Sequence, residues 1–284
     1  MIININYETS YVFSSNVPRL VQSIMLHPTE CLNQKVISCD IVTSKGELVE
    51  VPKDALGHRL YNIYNKNISE PQTISMKCTV ETKDFFGLMK GLSESVHPDC
   101  FLRQTKLTEP DKKILNLVKK KVEKSSVDFC HYLNHCVSSS IEYLSGTTDI
   151  HTSAADAISQ GSGVCQDFSH ILVGLARFHD YPARYVNGFM LDDTDLASND
   201  THAWAEIFIA NLGWVGFDPC HDKCIDDRYV RVGCGYDFSF TSMIKGVKTN
   251  YNGTELLNHQ LSVQAQTSQS VSYTHLTLPT ICSV

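Results

Sequence analysis

One stretch decides the fold: Gly161-Ser162-Gly163-Val164-Cys165-Gln166-Asp167-Phe168. Glycines precede Cys165, and the apolar residues that follow it recur with a helical period. The stretch therefore predicts a helix from about Cys165 to His179, with a thiol in its first turn. The free N–H groups and the positive end of the helix dipole at that position favour a thiolate over a thiol. Cys165 is therefore a candidate nucleophile.

A predicted β-hairpin follows this helix in the sequence. Residues 202–209 alternate between apolar and polar positions, residues 211–213 have turn character, and the chain then returns as a second strand. Folding the hairpin about its turn brings Asp218 roughly beside His202. An aspartate there can accept the ring N–H of the histidine, fix its tautomer and stabilise the imidazolium. The sequence leaves open whether the predicted thiol faces this pair.

Five segments together resemble the transglutaminase-like superfamily, and specifically its bacterial branch. No single segment is specific, but all five occur in the family's order and at its spacing. They are GVCQDFSH (163–170), PARYV (182–186), HAWAE (202–206), GWVGFDP (213–219) and DRYVRV (227–232).

The resemblance implies an α+β fold with a papain-like core, in which the nucleophile helix packs on an antiparallel sheet. It implies a catalytic triad of Cys165, His202 and Asp218. The family transfers acyl groups from amides through a thioester, and its members include transglutaminases, cysteine proteases, deglycosylating amidases and proteins that have lost activity. Residues 1–84 resemble the β-rich amino-terminal domain of the branch, and residues 85–266 its catalytic domain.

Two positions depart from the family pattern. Cys220 follows the Asp-Pro pair where a small polar residue is usual, and Asn187 stands where serine is common. We expect that neither residue touches the triad and that both shape the substrate groove.

The amino-acid composition limits the classes of protein to which this chain can belong. The chain has 284 residues, a net charge of −7, 42% hydrophobic and 19% charged residues, which is typical of a soluble globular protein. Its mild acidity argues against a nucleic-acid surface. No apolar run has the length of a membrane span, and the first residues lack the charged region of a signal peptide. The odd count of 11 cysteines leaves at least one unpaired, which fits a reducing cytoplasm.

Coarse patterns place the other elements. Alternation predicts strands in the first 83 residues and over 183–190, and helical periods predict helices that start near Asp111 and cover 127–143. Thr152 or Ser153 can cap a short helix that ends at Gly161. Residues 271–280 resemble translated sequencing-adapter DNA, so we expect residues 267–284 to be non-native or disordered.

Two groups of cysteine and histidine residues could bind a metal ion, but the sequence indicates a metal site at each of them only weakly. Cys220, His221 and Cys224 have metal-like spacing, but a structural zinc site needs four ligands and no second pair is obvious. Cys130, His131, His135 and Cys136 share a predicted helix that lacks the glutamate of a metalloprotease motif. We therefore expect no metal and no cofactor.

Three residues close to the predicted triad receive structural roles. His170 is predicted to point away from the thiol and to be a buried, hydrogen-bonded histidine. Asp167 suits the first helical turn, where it can cap or pair locally. Trp204 is expected on the strand face opposite to His202, within the core.

The predicted function is thiol-dependent hydrolysis of a peptide or protein amide. Hydrolysis is favoured because water needs no dedicated amine site. Transamidation of protein glutamine residues is the alternative, and a binding scaffold without catalysis is a further one. No nucleic acid and no membrane is expected as a partner.

Overall fold

The computed structural model describes residues 1–119, 127–191 and 201–266. Fifteen strands and five α-helices lie within these ranges, together with a 3-10 helix at Pro98–Leu102. The α-helices are α1 (Lys112–Leu115), α2 (Val127–Ser138), α3 (Ala154–Gln160), α4 (Cys165–Phe178) and α5 (Phe238–Thr241). The strands of the first part of the chain are β1 (Ile2–Phe13), β2 (Val17–Ile24), β3 (Gln34–Thr43), β4 (Glu47–Val51), β5 (Leu60–Ile68) and β6 (Gln72–Thr82).

Along the chain, the remaining strands lie between the helices or follow the last of them. They are β7 (Glu142–Tyr143), β8 (Ser162–Gly163), β9 (Ala183–Met190), β10 (His202–Ile209), β11 (Gly213–Asp218), β12 (Lys223–Cys224), β13 (Tyr229–Gly235), β14 (Ile244–Thr249) and β15 (Glu255–Ala265). Helix α4 and strand β9 match their predicted ranges. The helix predicted over 127–143 ends earlier, because residues 142–143 instead pair with β8 beside the start of α4.

Two four-stranded antiparallel sheets form the amino-terminal part, in the orders β15-β1-β6-β3 and β14-β2-β5-β4. Strand β6 shows why these residues form a sheet, because its side chains alternate strictly between more and less buried positions. Its buried apolar residues join the inner residues of β1 in one hydrophobic cluster. The β-rich start that the sequence predicts is thus confirmed.

The last two strands return to these amino-terminal sheets. Strand β14 pairs with β2, and β15 pairs with β1 over the register Ile3↔Ala265 to Phe13↔Glu255. Both strands lie within residues 85–266, which were predicted as the second domain, and their strand partners lie within residues 1–84. The physical reason is that strand partners are set by long-range pairing, which the local alternation of a strand does not specify. The remaining domain bounds stay predictions.

The second part of the chain is built on a five-stranded sheet with the order β12-β11-β10-β9-β13. Helix α4 packs on β9 and β10, and α2 and α3 pack on α4. Eleven of the 14 residues of α4 are buried, which makes it the central helix of this part. The predicted α+β core with a helix on an antiparallel sheet is confirmed.

Local caps set the bounds of the short helix before the candidate nucleophile. The Ser153 hydroxyl accepts a hydrogen bond of 3.2 Å from the Asp156 N–H at the start of α3. Gly161 ends the helix in the left-handed conformation, at φ 78°. This turn directs the chain into β8 and then into α4.

The Gln34 side chain, from the amino-terminal part, is hydrogen-bonded to the backbone of the five-stranded sheet. Gln34 accepts a hydrogen bond of 2.8 Å from the Arg231 N–H and donates one of 2.7 Å to the Arg231 carbonyl. The amide thereby pairs with β13 in the way a neighbouring strand would.

Among the described residues, no helix is long and apolar enough to cross a membrane. The predicted tail lies outside the described residues.

Candidate active site

Cys165 is the first residue of α4. Val164 precedes it in an extended conformation, and the Asp167 carboxylate accepts a hydrogen bond of 2.8 Å from the Val164 N–H. Gly163 makes this cap possible, because a Cβ at that position would stand 2.8 Å from the Asp167 side chain. Asp167 is therefore a local cap, as predicted, and it fixes the backbone that presents the thiol.

The hairpin delivers the predicted histidine and carboxylate side by side. Strands β10 and β11 pair from Ala205↔Phe217 to Ile209↔Gly213, which leaves His202 and Asp218 at the same end of the hairpin. His202 Nε2 lies 2.7 Å from Asp218 Oδ2. Both side chains are buried, so water competes little for this hydrogen bond.

The thiol faces the histidine, which the sequence left open. The Cys165 thiol lies near enough to His202 to help raise the pKa of the ring, and its Sγ is 3.9 Å from the carbonyl oxygen of the neighbouring Thr201. The structure therefore brings all three predicted site residues together in the order thiol, imidazole, carboxylate. Their catalytic roles stay predictions.

The carboxylate decides the charge of the imidazole. Burial alone would lower the pKa of His202, but the charge and hydrogen bond of Asp218, with a smaller effect of Cys165, raise it to about 10. In turn, burial would raise the pKa of Asp218, but His202 and then His221 hold it far below its usual range. The pair is therefore an imidazolium and a carboxylate at neutral pH.

Three residues that the sequence analysis did not assign to the site hold this carboxylate. The Tyr229 hydroxyl donates a hydrogen bond of 2.7 Å to Asp218 Oδ2, and His221 Nδ1 lies 2.7 Å from the same oxygen. The Cys220 N–H donates one of 2.9 Å to Oδ1. Tyr229 could have been identified from the sequence, because it lies in segment 227–232. That segment is part of the family resemblance, but none of its residues was given a role.

The expectation about the two family departures is wrong for Cys220 because its backbone N–H contacts Asp218 directly. The tight turn after β11 folds the chain back onto the carboxylate, and spacing alone did not show this. The Asn187 amide donates a hydrogen bond of 3.3 Å to the Thr241 carbonyl, and its expected effect on the substrate groove stays a prediction.

Trp204 is buried in the core as expected, but the strand face predicted for it is wrong. Residues two apart on a strand share a face, and the Trp204 ring stacks near His202 at a centroid distance of 6.3 Å. Gly188 leaves the space for this ring, because a Cβ there would be 2.7 Å from the indole and 2.2 Å from the Val230 carbonyl oxygen. The tryptophan thus supports the imidazole from the side of the sheet that faces away from α4.

His170 has the predicted structural role. Its ring is buried, and Nε2 accepts a hydrogen bond of 3.1 Å from the Phe238 N–H. Burial lowers the pKa of His170 to about 4, so the ring is neutral and joins α4 to the start of α5.

The candidate metal ligands are mostly engaged with one another. Within the described ranges, the ligand atoms of His202, Asp218 and His221 lie within 4.8 Å of each other, but they form the hydrogen bonds given above. Cys224 Sγ is 3.9 Å from His131 Nε2, and His135 Nδ1 is 2.7 Å from Asp222. This arrangement fits a hydrogen-bonded loop better than a closed set of four ligands.

A buried ionic network fixes the strands behind the site. Glu206 accepts hydrogen bonds from Arg184 Nε at 2.6 Å and from Arg231 Nε at 2.9 Å. Glu94 lies 2.8 Å from Arg184 and 3.5 Å from Arg231. All four residues belong to different segments, so the network ties β9, β10 and β13 to the loop that carries Glu94.

Part of this chain is similar in sequence to a family model and to known proteins. Residues 114–219, which contain the three site residues, match the family model described as the Transglutaminase-like superfamily. An uncharacterized protein of Mycobacterium leprae is 35% identical over 123 residues, 42% of this chain and 43% of that protein. An uncharacterized protein of Mycobacterium tuberculosis H37Rv is 31% identical over 115 residues, 37% of each. The chain thus spans about two fifths of the length of these curated relatives.

A solved structure shares the fold of nearly the whole chain. The crystal structure of a proposed cysteine protease from Cytophaga hutchinsonii superposes with a TM-score of 0.75. It covers 95% of this chain and 92% of that one at 21% identity, a level at which the likeness concerns the fold. The helix, the hairpin and the matched segment agree: residues 114–219, which carry the three candidate site residues, match the model of the transglutaminase-like superfamily.

Proposed function

We propose that this protein hydrolyses amide bonds of a peptide or protein by thiol catalysis. The observation that carries the proposal is the His202–Asp218 pair, joined at 2.7 Å, with the Cys165 thiol near enough to help raise the pKa of the imidazole. A nucleophile, a proton carrier and an orienting carboxylate in this order can perform acyl transfer.

The reaction begins with a thiolate–imidazolium pair. The Cys165 sulfur attacks the amide carbonyl, and the oxyanion accepts a hydrogen bond from the Cys165 N–H at the start of α4. His202 gives its proton to the departing amine, which leaves a thioester on the sulfur. A water molecule then gives its proton to His202 and attacks the thioester, which releases the acid and restores the pair.

A peptide or protein substrate is supported by the likeness to the proposed cysteine protease from Cytophaga hutchinsonii, which has the same fold. Transamidation remains the alternative, because an amine can replace water in the second step without any change in the triad. A scaffold without catalysis is disfavoured, since such a protein has no need to keep a charged buried pair against its thiol. A location in the cytoplasm also stays a prediction.

The first test is the pH dependence of alkylation by iodoacetamide, read for each cysteine by mass spectrometry. We expect Cys165 to react fast well below the ordinary thiol pKa of about 8.5, and His202→Ala to remove that advantage. Cys136→Ala is the matched control, since this half-buried cysteine lies on α2 and outside the site. Equal rates at Cys165 and Cys136 would overturn the proposal.

Activity on casein and on a labelled amine then separates the two acyl acceptors. Hydrolysis predicts new amino termini and no attached label, whereas transamidation attaches the label to the protein. In either assay Cys165→Ala should abolish turnover while the far-ultraviolet circular dichroism is unchanged.

A further inference from the structure

Two cysteines of the amino-terminal part are direct strand partners. Cys39 on β3 pairs with Cys78 on β6 in the antiparallel register of these strands, and both thiols are free. Within the described strands, no other cysteine has a cysteine opposite it. The pair lies in the sheet with the order β15-β1-β6-β3, so Cys39 is on an edge strand.

The spacing of the two residues suits a disulfide. Directly opposed residues of an antiparallel pair have Cα atoms about 4.5 to 5.5 Å apart. A disulfide joins residues whose Cα atoms are about 4.4 to 6.8 Å apart. Opposed residues also project to the same face of the sheet. Here that face is the inner one, because Cys78 is buried in the hydrophobic cluster of the amino-terminal part and Cys39 packs against it. The two sulfur atoms can therefore bond without a change of strand register.

A metal site fits this pair poorly. The side chains beside the two cysteines on the same face of the sheet are apolar: Ile5, Ile41, Met76 and Val80. A structural zinc ion takes four ligands from cysteine, histidine, aspartate or glutamate. Among the described residues of this face, the pair therefore lacks two ligands. Two adjacent thiols without further ligands instead suit oxidation by a small disulfide.

The two thiols differ in their access to solvent. Cys78 is 3% exposed, whereas Cys39 is half-buried and lies on the edge strand. A disulfide in solution, such as oxidised glutathione, therefore meets Cys39 first. Cys78 is then in position to displace glutathione from the mixed disulfide on Cys39. Their positions thus assign the roles of attacking and resolving thiol.

The paired strands also anchor the segment that carries Tyr229. Gln34 at the start of β3 is the strand partner of Thr82 at the end of β6. Gln34 bonds the backbone of Arg231, and the Thr82 hydroxyl donates a hydrogen bond of 2.5 Å to the Asp227 carbonyl. Tyr229, whose hydroxyl holds the candidate catalytic carboxylate, lies between these two anchor points in the chain.

We propose that Cys39 and Cys78 are a redox-active dithiol that a small disulfide such as oxidised glutathione converts into a cross-strand disulfide. The new bond joins the two strands that anchor the segment of Tyr229, and it stabilises the junction between the two parts of the chain. The site is separate from the proposed amide hydrolysis and does not depend on it.

The reaction is balanced. The Cys39 thiol loses its proton, and its sulfur forms a bond to one sulfur of oxidised glutathione while the S–S bond of the oxidant breaks. The first glutathione leaves as a thiolate and takes up that proton. Cys78 then loses its proton, its sulfur displaces the second glutathione from Cys39, and this thiolate is protonated in turn. The protein loses two electrons and two protons, and one oxidised glutathione becomes two glutathione molecules.

The test incubates the full chain with oxidised glutathione, alkylates the remaining thiols and identifies disulfides by mass spectrometry of the digested protein. We expect one intramolecular disulfide, between the peptides that contain Cys39 and Cys78, and dithiothreitol should reverse it. Cys130 and Cys136 are internal controls, because one is buried, the other is half-buried and both lie on α2. Neither control cysteine should enter a protein disulfide.

Single substitutions separate the roles of the two thiols. Cys78→Ser should trap the mixed disulfide of glutathione on Cys39, because no resolving thiol remains. Cys39→Ser should give no disulfide and no glutathione on Cys78. Cys136→Ser should be oxidised like the native protein. Thermal unfolding of each variant before oxidation shows whether it is folded.

Two further readouts report the effect of the disulfide on the fold. Oxidation should raise the melting temperature by roughly 5 to 15 °C, since the disulfide restricts the unfolded chain. The Arg231 N–H, whose hydrogen bond Gln34 accepts, should exchange more slowly with deuterium in the oxidised protein. No disulfide between Cys39 and Cys78 in folded protein, equal disulfide formation at the control cysteines, or a lower melting temperature after oxidation would each overturn the proposal. None of these results depends on amidase activity.

Discussion

The Tyr229 hydroxyl donates a hydrogen bond of 2.7 Å to Asp218 Oδ2, the same oxygen that lies 2.7 Å from His202 Nε2. Tyr229 is on β13, which β9 separates from the hairpin that carries the histidine. The carboxylate is thereby held from a second direction, and its orientation does not depend on the imidazole alone. Tyr229 is in our proposal a positioning residue, since it touches Asp218 and not the reacting atoms.

Tyr229→Phe should therefore lower kcat more than it raises KM. A hydrogen bond to a charged group contributes about 1.5 to 3 kcal/mol, so we expect roughly a tenfold or greater loss of kcat. Casein hydrolysis measures the rate, and the rate of Cys165 alkylation shows whether the thiol is still activated. Tyr251→Phe is the control, because that exposed hydroxyl bonds a carbonyl far from the site. An unchanged kcat in Tyr229→Phe would contradict this role.

Asp218→Asn should shift the titration of His202 to lower pH. The native pKa of about 10 depends mainly on the carboxylate, and without it burial opposes only the smaller effect of Cys165, so the pKa falls. Nuclear magnetic resonance of the imidazole C–H measures both values. His170, with a pKa of about 4, serves as an internal reference that should not move.

The same pair predicts how stability depends on pH. Because the pKa of His202 is raised, its contribution is complete below about 6.5 and is lost as the pH rises through about 10. Because the pKa of Asp218 is lowered, its contribution is present above about 4 and is lost as the pH falls. The stability difference between native protein and Asp218→Asn should thus be largest between these limits. A constant difference from pH 4 to 11 would count against the pair.

Glu206→Gln should destabilise the fold strongly. The substitution keeps the shape but removes one of the two carboxylates that balance the buried guanidinium groups of Arg184 and Arg231. Breaking a buried ion pair typically costs about 3 to 5 kcal/mol. Urea unfolding measures the loss, and Glu70→Gln, which removes an exposed partner of Lys45, should change little. Similar effects of the two substitutions would contradict the role of the network.

Gly174→Ala should destabilise the protein although alanine is the better helix former. A Cβ at this position of α4 would lie 1.8 Å from the Thr108 carbonyl oxygen, and the backbone there cannot yield cheaply. Overpacking of this kind costs about 1 to 3 kcal/mol, more than the gain of about 1 kcal/mol in helix propensity. The control is Gly246→Ala on β14, where a Cβ meets its first neighbour at 3.6 Å. A rise in melting temperature for Gly174→Ala would refute the close approach.

Local patterns predicted the parts of the site that depend on neighbouring residues. The period of α4, the glycine before it and the turn at 211–213 placed Cys165 at a helix start and His202 beside Asp218. These features follow from backbone geometry over a few residues, which the types of those residues largely specify. The capped helix before Gly161 is confirmed for the same reason.

The sequence by itself thus determined the thiol helix, the histidine hairpin and the β-rich start of the chain. Only the tertiary structure decided that Cys165 meets His202, that Tyr229 holds Asp218, and that β14 and β15 close the amino-terminal sheets. The contact of Cys234 with His58 joins residues 176 positions apart. Such contacts arise from the packing of whole elements and from strand register over long distances, and no local period of the sequence encodes them.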